Sequence, residues 1–139
     1  MRGSMLSREL RELFRELGTL ILRLGTAVPL LVLHGWPKWA NYAQKAGGFP
    51  DPLGVGSEMA LNLAIFGELV CAALLVVGLA TRFAGVVVAG MFAVIVFVVQ
   101  PGEMAGELAG LYGVAALAIA SIGPGRLSLD ALLGFVSED

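Results

Sequence analysis

Six ionisable side chains sit inside or beside apolar stretches of this chain: Arg23, His34, Lys38, Glu68, Glu103 and Glu107. A charged group at the centre of a hydrocarbon layer costs about 2.5–3.5 kcal/mol on insertion scales, so each needs a partner or a task. Acids and bases that meet there can fix helix register, line a polar pocket or relay protons. The same inventory excludes other chemistry. Cys71 is the single thiol, which removes intrachain disulfides, paired redox cysteines and cysteine metal clusters. One histidine cannot furnish the imidazoles of a zinc or di-metal site and the carboxylates are scattered, so no metal is expected.

The elements that must position these groups are apolar. Of 139 residues 58 % are apolar and 14 % charged, where a soluble domain carries about 25 % charge. Mean hydropathy is +0.86. The length suits one domain, and a net charge of −2 offers no basic surface, so nucleic acid is not an expected partner. The lipid bilayer is. Crossing it takes roughly 20 helical residues, and four stretches qualify: Leu17–Trp36, Met59–Ala80, Phe83–Val99 and Met104–Ile122. Only Thr81-Arg82 separates the second from the third, which predicts a tight antiparallel hairpin. Gln100-Pro101-Gly102-Glu103 breaks the chain again before the fourth. The expected fold is an all-α membrane protein, a four-transmembrane-helix bundle.

Residues 1–4 read as an expression leader, and 17–139 as the four-helix domain. Between them, residues 5–16 place Leu6, Leu10, Leu13 and Phe14, continued by Leu17, at helical spacing among arginines and glutamates. That pattern predicts an amphipathic interfacial helix, or else an extension of the first span that packs on a neighbour. The longest connection, Pro37–Glu58, carries Trp39, Tyr42 and Phe49, which with Trp36 suit a headgroup belt. Its Pro/Gly run predicts an ordered cap or a shallow re-entrant segment. Arg8, Arg11, Arg15, Arg82 and Arg126 fall on one side against Lys38 and Lys45 on the other, so both termini are expected in the cytoplasm.

Helix geometry predicts how the charges meet. Arg23 and His34 are eleven residues apart, about three turns plus 20°, and so share a face. Glu68 is flanked by Ala64, Gly67, Cys71 and Ala72, which permit close helix approach and turn it into the bundle. Glu103, Glu107, Gly110, Val114, Ala118 and Ser121 lie on one stripe of the last span. At 1.5 Å rise per residue Arg23 lies roughly 9 Å, Glu68 roughly 18 Å and His34 roughly 25 Å from the cytoplasmic end. The expected result is a polar column, Lys38, Glu103, Glu107, His34, Glu68, Arg23, with Arg23–Glu68 and His34–Glu107 as its pairs. Gly85, Ala89 and Ala93, and Gly106 with Gly110, are small-residue patterns for helix contact. Cys71 reads as a packing residue, and Ser128 or Asp130 as a helix cap after the last span.

Arg23-Leu24-Gly25 followed by His34-Gly35-Trp36-Pro37-Lys38 resembles the first-helix signature of the DoxX family. Phe49-Pro50-Asp51-Pro52, Glu68, the Gly78–Arg82 turn, Glu107 and Gly123–Asp130 follow in that family's order, so the resemblance covers Leu20 to Leu133. It implies a small, multi-pass, four-helix protein of a bacterial or archaeal inner membrane. One relative is the membrane subunit of a thiosulfate:quinone oxidoreductase. Other members are linked to a membrane complex with superoxide dismutase and a sulfurtransferase. By that resemblance the chain is at most a non-autonomous subunit of an oxidoreductase complex: quinone-facing, or an anchor for a soluble oxidoreductase or sulfurtransferase. His34 or Glu107 would then hydrogen-bond a quinone carbonyl while Glu68 carries protons.

Two other readings fit the residues. A small proton-coupled transporter needs one membrane-embedded glutamate, the part Glu68 would play. A structural membrane protein needs its charges only for packing. A homo-oligomer is compatible with each reading, because small-residue surface remains for self-contact.

Overall fold

The computed structural model describes the backbone of residues 2–100, 102 and 104–136, and the side chains of 5–100, 102 and 106–136. Among them every regular element is helical. Three helices are long and apolar enough to cross a membrane, Met5–Ala40, Ser57–Val77 and Thr81–Val99, and a fourth covers Met104–Ile122. Large apolar side chains such as Phe97, Leu111 and Val114 stay 77 %, 63 % and 69 % exposed on the outside of the bundle. An apolar exterior around a packed interior is what a surrounding lipid phase requires. The chain is a multi-pass membrane protein.

Three of the four helices contain a widened, π-helical turn: Leu30–Gly35, Phe66–Cys71 and Ile95–Val99. The first precedes Pro37, which has no N–H to give and whose ring crowds the carbonyl of Leu33, so the turn before it must open. Such a turn holds one extra residue, which rotates everything beyond it by about 100°.

The first helix is continuous from Arg2 to Ala40. Residues 5–16 therefore do not form a separate helix that turns into the interface plane; they extend the first span. Its 36 residues from Met5 to Ala40 reach about 54 Å, well beyond the roughly 30 Å hydrocarbon core. Leu6, Leu10, Leu13 and Phe14 are all more than half exposed on this extension. Where it joins the bundle, Glu16 accepts a hydrogen bond from the backbone N–H of Arg126 at 2.6 Å.

The second and third helices form the expected hairpin. Gly78 takes a left-handed conformation (φ 71°), and the N–H groups of Gly78 and Leu79 close on the carbonyls of Leu75 and Leu74, a glycine-terminated helix end. Asp130 then caps the third helix from a distance, accepting from the N–H of Ala80 at 2.8 Å and of Thr81 at 2.9 Å. The third and fourth helices pack closely: a Cβ on Gly85 would stand 2.9 Å from the carbonyl oxygen of Ala116. The core lies between all four, around Ala27, Leu30, Cys71, Leu75, Val88, Phe92 and Ile119. Cys71 is fully buried there. The bundle thus has a terminal end, where the N-terminal extension meets Gly123–Leu133, and a loop end, built by 41–56.

Candidate functional site

At the loop end two widened turns face one another. Gly35 lies against the backbone of Glu68, so closely that a Cβ there would stand 2.6 Å from the Glu68 carbonyl carbon and 2.8 Å from the Leu69 nitrogen. Only glycine permits that approach. Lys38, one turn further along the first helix, lays its Nζ 2.5 Å from Glu68 Oε2. The Glu68 side chain is 5 % exposed and that of Lys38 20 %. Removing either partner would leave a charge in a poorly solvated place, so the two stand or fall together.

The pair borders a cavity of about 420 Å³, within the size range of small-molecule sites. Ala60, Ala64, Phe66, Val87, Gly90, Met91, Val94 and Ile95 form its walls, and Phe49, Pro50, Pro52, Leu53 and Val55 of the 41–56 loop roof it. Asp51 holds that roof, accepting from the N–H of Val55 at 2.9 Å and of Gly56 at 2.7 Å. The Gly56 and Val55 N–H groups, which favour the charged carboxylate, hold its carboxyl below the ordinary carboxylate range. Leu63 and Phe66 at the rim are 48 % and 41 % exposed, so the cavity is reached from the side of the bundle. The site can take a lipophilic body and offer it an ammonium donor anchored by a carboxylate.

The expected polar column is not continuous; it divides between the two ends. Arg23 does not pair with Glu68. Its guanidinium, 2 % exposed as a residue, bonds the carbonyl of Pro124 and, at 2.5 Å, that of Leu127. The contact passes over Gly78, where a Cβ would stand 3.0 Å from Arg23 Cζ. Arg23 is thus level with Gly78, and Gly35 with Glu68, which slides the first helix along the second relative to the depths predicted above.

His34 and Glu107 are not joined by a hydrogen bond or ion pair among the described residues. His34 is half-buried and meets the ring of Tyr112 edge-on at 5.6 Å, and Tyr112 in turn stacks on Phe92 at 5.2 Å. Glu107, Val114 and Ser121 are exposed, so that stripe of the fourth helix points outward. The widened turn at Leu30–Gly35 breaks the phase on which the shared face of Arg23 and His34 was reckoned, while the fourth helix turns its Glu107 stripe outward as a regular α-helix. Neither His34 nor Glu107 lines the cavity; Lys38 and Glu68 do. Glu103 lies outside the described residues. Tyr112 carries no signal of its own in the sequence, whereas the roof residues are marked by the Pro/Gly run that predicts an ordered cap, by the aromatic Phe49 and by the Phe49-Pro50-Asp51-Pro52 resemblance.

A family model described as DoxX matches residues 18–101, more than half of the chain, including Arg23, His34, Lys38 and Glu68 but not Glu107 or Asp130. No curated protein and no solved structure matches. The chain belongs to the DoxX family.

Proposed function

We propose that this DoxX-family membrane protein is the quinone-facing subunit of a redox complex, holding a quinone ring in the loop-end cavity. The observation that carries the reading is the Lys38–Glu68 pair set into otherwise apolar walls. A bound quinone would supply the two-electron, two-proton chemistry. Lys38 donates a hydrogen bond from Nζ to a ring carbonyl while Glu68 orients the ammonium from behind. Phe66, Met91 and Val94 cover the ring and exclude water, and the Asp51-held roof limits escape toward the aqueous side. A soluble oxidoreductase or sulfurtransferase partner provides the other half of the reaction. The arginines at the terminal end support a reading in which both termini face the cytoplasm, which would leave the cavity in the opposite half of an inner membrane.

A transporter needs its membrane-embedded carboxylate free for cargo, whereas Lys38 already occupies that of Glu68. The test is native mass spectrometry of protein gently extracted from its own membrane. Wild type should carry a quinone adduct, and the Lys38→Met/Glu68→Leu double variant should lose it. Protein carrying only lipid, or an adduct untouched by the double substitution, would end this reading.

A further inference from the structure

A second cleft lies at the terminal end, about 300 Å³ in volume, and three guanidinium side chains line it: Arg15, Arg82 and Arg126. They come from three distant stretches, the first helix, the start of the third and the segment after the fourth. Among the described residues Glu16 is the single acidic one of the lining, with its carboxylate 3.5 Å from Arg15 and accepting the Arg126 backbone N–H at 2.6 Å. Glu12 stands at the rim, 3.9 Å from Arg126, where both side chains are more than half exposed, and so screens little. The nearby Asp130 carboxylate is committed to Ala80 and Thr81, and Arg23 to the carbonyls of Pro124 and Leu127. Neither competes for the cleft.

Arg82 is already held in place. Its Nη1 donates to the carbonyls of Ala120 at 2.8 Å and Ser121 at 2.9 Å, which fixes the guanidinium plane and leaves the rest of its fork for a planar or tetrahedral anion. Arg82 is the second residue of the third helix and Ile122 the last of the fourth, so the cleft sits where the bundle leaves the hydrocarbon. Ile122 on its wall, and Phe83 in the neighbouring cleft that shares Arg82 and Pro124 with it, are 55 % and 57 % exposed, apolar surface that a free inorganic anion would not use.

We infer that this cleft binds the phosphate of an anionic phospholipid, with the guanidiniums of Arg15, Arg82 and Arg126 on the headgroup and an acyl chain along Ile122 and Phe83. Basic residues gathered at the membrane surface recognise anionic lipid in this way.

The test titrates the delipidated full chain, in an uncharged detergent, with phosphatidylglycerol, phosphatidylcholine or inorganic phosphate, and reads the thermal midpoint. Phosphatidylglycerol should raise the midpoint at concentrations where the other two do not. Arg126→Gln should increase its half-saturating concentration about fivefold, and Arg15→Gln with Arg126→Gln about 25-fold, the loss expected for surface arginines. Arg8→Gln removes the same charge from the same helix outside the cleft and should change nothing. Equal responses to phosphatidylcholine and phosphatidylglycerol, or equal losses for Arg8→Gln and Arg126→Gln, would overturn the site. A full midpoint shift with inorganic phosphate alone would overturn the lipid and assign the cleft to a soluble anion.

Discussion

Arg23 and Lys38 lie on the same helix, and each brings a cation into the bundle, yet the two ends treat them differently. At the terminal end the planar guanidinium of Arg23 is closed over by the Gly123–Asp130 segment and bonded to two backbone carbonyls. At the loop end the ammonium of Lys38 meets one carboxylate at the edge of an apolar cavity and keeps a fifth of its side chain open. A guanidinium is a fixed fork of directional donors, suited to stapling backbone; an ammonium is a compact charge with three donors that can be shared with a newcomer. The lesson of the contrast is that burial of a charge does not by itself mark a functional site. What marks one is a charge with donors left over and space in front of it.

That contrast can be broken most directly at Arg23. Arg23→Gln strips a charged donor from the carbonyls of Pro124 and Leu127 and should cost about 3–5 kcal/mol, read by denaturant unfolding in detergent. A loss below about 1 kcal/mol would mean that the terminal end is not stapled by this residue. Lys38→Met alone leaves the Glu68 carboxylate buried without its partner and should cost about 2–3 kcal/mol. The Lys38→Met/Glu68→Leu double variant should return to within about 1 kcal/mol of wild type. Stability recovered together with loss of the quinone adduct would separate a binding role from a structural one.

Smaller effects sharpen the comparison. Gly35→Ala forces the first two helices apart at Glu68 and should cost about 2 kcal/mol while weakening quinone retention, measured by unfolding and by adduct intensity. At the other end Asp130 gives a pH signature. Burial opposes its ionisation, but the hydrogen bonds from Thr81 and Ala80 and the charge of Arg23 outweigh it and hold the carboxyl below its ordinary value of 3.8. The stabilisation it brings is complete above that value and drains away as pH falls through the lower folded one. Asp130→Asn should therefore cost about 1 kcal/mol at neutral pH and flatten the acid limb of the melting profile. An acid limb of the same slope in both proteins would remove Asp130 from the account.

What the residue order alone determined is considerable. Four apolar stretches, a hairpin across Thr81-Arg82, a capped loop rich in proline and glycine, and the DoxX family were all legible, because each rests on composition and local chemistry. Arg23 and Glu68 were legible as buried charges, since charge stands out in an apolar run, whereas Glu107 is exposed and the buried Asp130 read only as a helix cap. Which charges meet was decided by the tertiary structure. The turn at Leu30–Gly35 takes one residue more than an α-turn, and that single residue rotates the helix beyond it by about 100°. The approach of Gly35 to Glu68 then sets how far one helix slides along the next, and one turn of slide is about 5.4 Å, enough to exchange partners. A helical wheel holds neither quantity. The cation that closes on backbone and the cation that faces a cavity were distinguished only when four helices and a loop packed together.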